Sequence, residues 1–288
     1  MAKHYTSIVR LFEHCGIDYN SEINISRIKK QIKIEFDQSE NGLIQINEFT
    51  YNKTDVLQTL ESSNALDIIH LELLIWKHSK VIAFLEKFSF SIELLDEIFW
   101  IKQTEGIDFK IISSYLAFSF HQCSKSLINK NDFKNLSKLY KLKIHIQQED
   151  KEAAFASIPN FIESNIAYFR NISSINAGDT IVKMHYWFKP GWSSFLNEMP
   201  DEYHFEKVKL VEGLIHFLVE IQKKYPKKTI ELSSELYCVN KLPPDIEALI
   251  RNNHQIVTSA AYGREESSSP WWIIVVIVLI LRLLASIL

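Results

Sequence analysis

The sequence predicts an α+β protein that is predominantly helical and carries a single transmembrane helix at its carboxyl terminus. Apolar residues recur at helical spacing through the middle of the chain, and only seven glycines and seven prolines interrupt its 288 residues. Alternating apolar and polar residues around an Asn-Gly pair predict one β-hairpin near the amino terminus. A nearly continuous apolar segment over residues 271–288 predicts the membrane span.

The predicted fold begins with an amino-terminal helix and a β-hairpin. Residues 5–15 carry a one-sided apolar pattern that stops at Gly16, a residue type that commonly ends a helix. Over residues 31–49 the alternation is interrupted by Asn41 and Gly42, a strong signal for a tight turn. The alternating apolar residues are Ile32, Ile34, Phe36, Ile44 and Ile46. These features predict a β-hairpin over residues 31–49.

The basic residues beside this hairpin do not predict nucleic-acid binding. A winged-helix DNA reader needs a third helix before its wing, and the sequence has room for only two. Glu35 and Asp37 oppose the basic cluster, and the formal net charge of −3 creates no field that attracts a polyanion. The cluster consists of Arg27, Lys29, Lys30 and Lys33. We expect no nucleic-acid partner.

The middle of the chain predicts a central bundle of antiparallel helices. Connections of only a few residues favour antiparallel packing of consecutive helices. Pro159 should kink or break the last helix, because proline removes a backbone donor and crowds the preceding turn. The predicted helices cover residues 65–88, 92–103, 108–129, 132–148 and 150–172. Together with the hairpin they form a predicted domain over residues 1–175.

Residues 176–262 predict a small α/β unit. Three segments have strand-like composition and two helical segments lie between them, an order typical of partly parallel pairing. The predicted strands cover residues 180–188, 227–239 and 254–262, and the predicted helices cover residues 204–225 and 244–252. A polar linker over residues 263–270 follows this unit.

The segment 271–288 predicts a membrane anchor. Trp271 to Leu281 is an unbroken apolar run, and after Arg282 only Ser286 is polar. As a helix, the eighteen residues would span about 27 Å, enough for a thin bilayer core. Their thirteen Ile, Leu and Val residues favour insertion by roughly 4–8 kcal/mol, against about 2.5–3.5 kcal/mol for one central arginine. The alternative is a helix buried in the protein's own core or in a partner's groove. A helix on the protein surface is not an alternative, because it would show a polar stripe.

Flanking residues indicate how this anchor would sit. Trp271 and Trp272 suit the near interface, and Arg282 is close enough to the carboxyl end to extend toward the far one. The first twenty residues lack the apolar region of a signal peptide, so we expect the amino-terminal part in the cytoplasm. The expectation is a tail-anchored protein that contacts membrane lipid.

Few residues suggest chemistry. The isolated glycines form neither a dinucleotide-binding fingerprint nor a phosphate-binding loop, and no zinc-protease motif occurs. Glu212, His216 and Glu220 share one face of the predicted helix 204–225, which makes them a weak candidate for a metal or acid–base site. Apolar residues on the opposite side favour a solvated face instead. We expect no catalytic site and no cofactor.

The segment 185–205 contains seven aromatic residues around a Pro-Gly turn. Trp187 and Trp192 flank that turn. Plain core packing would account for both rings, whereas an exposed ring there would be a preferred anchor for a protein partner or the membrane interface. The sequence therefore predicts an interaction or sensor module that holds a protein partner at the membrane. One alternative is a membrane-perturbing effector whose anchors oligomerise into a pore around Arg282. A second alternative is an unrecognised hydrolase or nuclease.

Overall fold

The computed structural model describes residues 4–19, 23–105, 112–172 and 175–261. The fold is predominantly helical (76%) with one small antiparallel sheet of two strands. The chain divides into two compact units. Unit 1 contains the described residues up to Ser126 together with Leu142–Ala156, and unit 2 contains Leu127–Lys141 together with the described residues from Ser157 onward.

The helices are α1 (Ile8–His14), α2 (Ile25–Gln38), α3 (Lys53–Glu61), α4 (Ala65–Trp76), α5 (Ser79–Lys87), α6 (Glu93–Glu105), α7 (Ser113–Asn129), α8 (Phe133–Leu139), α9 (Lys151–Phe155), α10 (Ser157–Arg170), α11 (Ala177–Lys183), α12 (Trp192–Glu198), α13 (His204–Ile221), α14 (Pro226–Tyr237) and α15 (Pro244–Ala261). The strands are β1 (Leu43–Ile46) and β2 (Phe49–Asn52). Short 3₁₀ turns, among them His185–Phe188, connect several of the helices.

The predicted hairpin over residues 31–49 is wrong in its first strand. Residues 25–38 form α2, whose buried positions Ile28, Ile32 and Phe36 follow one another at a spacing of four. Asn24 caps this helix by accepting a hydrogen bond from the Arg27 backbone N–H at 3.0 Å. The alternation that suggested a strand also fits a helix, and the cap together with burial of the residues at spacing four favours the helix.

The observed hairpin begins where the predicted one ends. Strand β1 pairs with β2 across a two-residue turn at Asn47 and Glu48, with Ile46 opposite Phe49. Asn47 adopts φ 54°, a left-handed conformation that asparagine tolerates better than most residues. Asn41 and Gly42, the predicted turn, lie instead in a 3₁₀ turn that precedes β1.

The core of unit 1 joins α1, α2 and the hairpin. Apolar residues of these elements are almost completely buried, including Phe12, Ile32, Phe36, Phe49 and Tyr51. The predicted helix over residues 65–88 is divided into α4 and α5, which are separated at Lys77 and His78. The predicted break near Pro159 occurs at Ala156, after which α10 begins with Pro159 in its first turn. Proline is tolerated there because the first N–H groups of a helix have no partner within it.

The strands predicted for the small α/β unit over residues 176–262 are wrong, because the described residues there form helices and turns. The segment 180–188 forms the end of α11 and a 3₁₀ turn, 227–239 lies mainly in α14, and α15 continues through residues 254–261. Every regular element described between residues 175 and 261 is helical. In α14 the buried residues are Thr229, Leu232, Ser233 and Leu236, which follow a helical period. Proline at the first position of α14 also favours the helix.

Unit 2 packs around α13 and a cluster of aromatic rings. The inner side of α13 is buried through Leu210, Leu214, Phe217 and Ile221, among others. None of the helices in the described part of the chain is both long and apolar enough to cross a membrane. The predicted linker 263–270 and the predicted anchor 271–288 lie outside the described residues.

Candidate functional site

The weak metal candidate on α13 keeps its predicted alignment, but its members do not converge on a metal site. His216 Nε2 lies 4.0 Å from Glu220 Oε1, too far for a hydrogen bond, and His216 Nδ1 lies 3.2 Å from the Phe169 carbonyl oxygen. Glu212, His216 and Glu220 are half-buried. The described residues contain no group of three His, Cys, Asp or Glu side chains placed to hold a metal ion. The expectation that the three residues form a solvated face without a catalytic role stays a prediction.

Trp187 and Trp192 are core residues of unit 2. Both indole rings have 0% exposure, and their centroids lie 4.9 Å apart in an edge-on arrangement. The Trp187 indole N–H donates to Asn165 Oδ1 at 2.9 Å, and the Trp192 indole N–H donates to the Trp187 carbonyl at 2.8 Å. Neither ring is exposed at the turn, and plain core packing is what the structure shows. A partner surface must use other residues.

The membrane-anchor residues Trp271, Trp272 and Arg282 lie outside the described residues. Their assignment stays a prediction that depends on the sequence alone.

The outer side of α6 carries two large exposed aromatic residues that sequence reasoning missed. Phe99 is 64% exposed and Trp100 is 50% exposed. Ile92, just before the helix, is also exposed, and its spacing of seven from Phe99 places both on one side. We call these three residues the α6 face. The Trp100 ring lies 5.4 Å from the His78 ring, centroid to centroid.

The opposite side of α6 already supplies the residues that the core needs. Leu94, Ile98 and Ile101 are almost completely buried. The exposed charged residues Glu93, Asp96 and Lys102 lie on the same helix, so the exposed aromatic rings form a small apolar patch among charges. The sequence signal for this patch is the segment 92–103, "IELLDEIFWIKQ". It contains more apolar residues than one buried helix side can hold. The α6 face is therefore a candidate contact surface, since large aromatic residues on a surface mark binding sites more often than chance.

Unit 1 also contains a buried carboxylate whose partners are all uncharged. Glu72 Oε2 accepts hydrogen bonds from the Tyr5 hydroxyl at 2.7 Å, the Ser7 hydroxyl at 3.1 Å and the Ile8 backbone N–H at 3.3 Å. These donors lie at or before the first turn of α1, where the partial positive charge of a helix favours an anion. Burial nevertheless raises the pKa of Glu72 to about 7, because desolvation outweighs these bonds.

A second buried carboxylate, Glu86, has a cationic partner. Its two oxygens each accept one hydrogen bond from the Arg10 guanidinium at 2.8 Å, the two-point geometry that arginine forms best. Glu86 Oε1 also accepts from the Ser7 backbone N–H at 3.1 Å. The Arg10 guanidinium carbon lies 3.9 Å from the centroid of the Phe49 ring. These two carboxylates fix the start of α1 to α4 and α5, which indicates a structural role.

Ser233 and His254 form a Ser–His pair of the kind that hydrolases use. Ser233 Oγ lies 2.8 Å from His254 Nδ1, which is the distance between a nucleophile and its base. Ser233 is almost completely buried, and the Tyr237 ring stacks on His254 with centroids 4.8 Å apart. A substrate could not reach the hydroxyl in this arrangement. The pair joins α14 to α15.

Comparisons with protein-family models, with curated proteins and with solved structures found no match to this chain.

Proposed function

We propose that the protein is a membrane-attached interaction module. In this proposal the segment 271–288 enters the bilayer, and the helical part remains at the cytoplasmic surface, where it binds a protein partner. The observation that carries the proposal is the eleven-residue apolar run from Trp271 to Leu281, continued after Arg282 by six residues with one hydroxyl. A segment that is apolar on every side needs lipid or complete enclosure in protein.

The α6 face supplies the partner surface in this proposal. Phe99 and Trp100 together offer two large rings on one helix, and the buried side of the same helix holds them in place. Such aromatic residues contribute a large share of the binding energy at protein interfaces. The residues predicted from the sequence for this role, Trp187 and Trp192, are replaced in the proposal by the α6 face.

Site-specific photo-crosslinking tests the partner surface. The full chain, carrying a photoreactive phenylalanine analogue at position 99, is irradiated in membranes of cells that express it. We expect one discrete adduct. The matched control carries the same analogue in place of Phe205, which is about as exposed as Phe99 but lies in unit 2. An identical adduct from position 205, or none from position 99, would contradict the proposal.

A double substitution then tests whether the contact matters. F99S together with W100S should abolish the adduct formed by an analogue at position 92, while the chain remains folded and membrane-bound. F205S together with Y237S is the control, since these two aromatic residues are also exposed. Retention of the adduct by the first variant would show that Phe99 and Trp100 do not carry the contact, which contradicts the proposal.

A further inference from the structure

Four lysines surround the start of α14 in unit 2. Residues 222–230 contain Lys223, Lys224, Lys227 and Lys228 and no acidic residue. The first three are exposed. Lys228 is half-buried, and its Nζ forms an ion pair with Glu231 Oε2 at 2.6 Å. The same Nζ lies 5.3 Å from the centroid of the Phe188 ring. We call these four residues the lysine cluster. Its positive charge is concentrated at one end of a helix.

The direction of α14 follows from its contacts with α13. The two helices are joined by residues 222–225 only. The Lys207 ammonium, near the start of α13, donates to the carbonyl of Asn240, just after the end of α14, at 2.8 Å. The start of one helix therefore lies beside the end of the other, and the two run antiparallel.

The next helix returns toward the lysine cluster. Helix α15 begins at Pro244, four residues after Asn240, and packs along α14 through the contact between Ser233 and His254. It therefore also runs antiparallel to α14. Pro226 and Ala261 each lie seven residues, or about 10 Å of helix, from that contact. The end of α15 consequently lies beside the start of α14 and its lysines.

Exposed apolar side chains lie near the same end of unit 2. A Cβ atom added to Gly178 would be 2.9 Å from the Tyr225 hydroxyl, so the start of α11 lies against the residue that precedes α14. Ile175, just before α11, is 93% exposed, and Val182, one turn after Gly178, is 73% exposed. Exposed apolar residues beside lysines are typical of surfaces that contact lipid headgroups and the outermost acyl carbons.

We infer that the lysine cluster, with Ile175 and Val182, lies against anionic phospholipid headgroups of the membrane that holds the segment 271–288. The inference rests on the proposed function. After Ala261, only nine residues precede Trp271, a reach of about 30 Å when extended. The end of α15, and the lysines beside it, must therefore stay close to the bilayer. Arg264, Glu265 and Glu266 in that stretch sum to a charge of −1, against +3 for the three exposed lysines Lys223, Lys224 and Lys227.

Charge complementarity selects anionic lipid over neutral lipid. A lysine near an anionic membrane surface strengthens binding by roughly fivefold, and the effect disappears beyond a Debye length. Three exposed lysines correspond to about a hundredfold preference for the docked arrangement. High salt should remove most of this preference, because it screens exposed charges.

Lysine footprinting on the full chain tests the inference. The protein is reconstituted into vesicles of phosphatidylcholine alone or of phosphatidylcholine with phosphatidylserine. Reductive methylation with formaldehyde and a neutral amine–borane, neither of which is charged, then reports the reaction rate of each lysine by mass spectrometry. We expect Lys223, Lys224 and Lys227 to react at least several-fold more slowly in the anionic vesicles, and high salt to restore their rates. Equal rates in both vesicles would overturn the inference.

Internal controls come from the other end of the helix pair. Lys241 follows the end of α14. Lys134 lies beside Gly191, and the Gly191 backbone N–H donates to Glu235 Oε2, near the end of α14, at 3.0 Å, so Lys134 lies at that end too. Both lysines are exposed, and their rates should be the same in the two vesicles. Equal slowing of Lys134 and Lys241 would indicate a general surface effect and would also overturn the inference.

Two further arms separate the remaining explanations. Inorganic phosphate added to neutral vesicles should leave the lysine rates unchanged. Protection by phosphate would mean that the cluster binds free anions, which contradicts a lipid surface. Flotation of the same samples reports whether the chain is in the bilayer at all. A chain that floats with both vesicles but shows equal lysine rates refutes this inference alone, whereas a chain that does not float refutes the proposed function.

Discussion

The Tyr5 hydroxyl donates a hydrogen bond to Oε2 of Glu72 at 2.7 Å, and both side chains are almost completely buried. Titratable groups around this pair come from several elements of unit 1. Burial, with the Glu72 carboxylate nearby, raises the pKa of Tyr5 well above its usual value, and burial raises that of Tyr51 to about 12. Glu86 is compensated by Arg10. Glu72 is therefore the group in this cluster that titrates near neutral pH.

The stability of unit 1 should fall as pH rises from about 4.5 to about 7. In this window the folded chain keeps a proton on Glu72, whose pKa burial raises to about 7, while the unfolded chain has released it. The folded state therefore loses about 3 kcal/mol across the window relative to the unfolded state. Chemical unfolding at several pH values measures this effect.

Glu72→Gln isolates the contribution of Glu72. Glutamine keeps the acceptor oxygen for Tyr5, Ser7 and Ile8 but cannot ionise. The variant should lose most of the pH dependence, while the control Glu61→Gln, on an exposed side chain, should retain it. An unchanged pH dependence in Glu72→Gln would show that Glu72 titrates at an ordinary pKa.

Truncation of a buried tryptophan should be far more costly than truncation of an exposed one. Trp187→Ala removes a fully buried ring and its hydrogen bond to Asn165, so we expect a loss of about 3–5 kcal/mol in the free energy of unfolding. Trp100→Ala should change it by roughly 0.5 kcal/mol or less. Similar losses in the two variants would contradict the assignment of Trp187 to the core and Trp100 to the surface.

Gly191 should not accept a side chain. It precedes α12 with φ 109°, a conformation that L-residues rarely adopt, although its nearest neighbour, Lys134, leaves enough space for a Cβ atom. Gly191→Ala should therefore lower the free energy of unfolding by about 1–3 kcal/mol through backbone strain alone. Gly16→Asn is the comparison, since Gly16 has φ 63° and open space around it, and asparagine tolerates that region. We expect a smaller loss there.

Zinc should not stabilise the protein through α13. His216 Nε2 and Glu220 Oε1 lie 4.0 Å apart, but the described residues around them supply no third His, Cys, Asp or Glu side chain to complete a ligand set. Addition of Zn²⁺ should leave the melting temperature of the chain and of its His216→Gln variant equally unchanged. A zinc-dependent rise that disappears in His216→Gln would establish a metal site and favour an enzyme.

The helical character of the middle of the chain and the presence of one hairpin were predictable from the sequence, but the helices in place of strands between residues 175 and 261 were not. Segments such as 227–239 alternate apolar and polar residues over a short distance, and a buried helix with residues at spacings of three and four satisfies the same pattern. Proline at position 226 was the signal for a helix start. The packing of α14 between α13 and α15 then selects the helix over the strand, and the local sequence pattern does not contain that information.

The surface features were harder to predict, for a different reason. An aromatic residue beside a turn can face either way, and Trp187 turned inward because Asn165 offers a buried acceptor for its indole N–H. Asn165 lies 22 positions away in the sequence, so no local signal connects the two. The exposure of Phe99 and Trp100 depends in the same way on which side of α6 the rest of unit 1 covers.

Alkaline carbonate extraction tests the central claim, attachment to the membrane through residues 271–288. Membranes of cells that express the full chain are washed at high pH, which removes peripheral proteins and leaves integral ones. We predict that the full chain stays in the membrane pellet, and that a chain ending at Ala261 is found in the soluble fraction with the helical circular-dichroism spectrum of unit 1 and unit 2. Release of the full chain by carbonate, or unfolding of the shortened chain, would contradict the account.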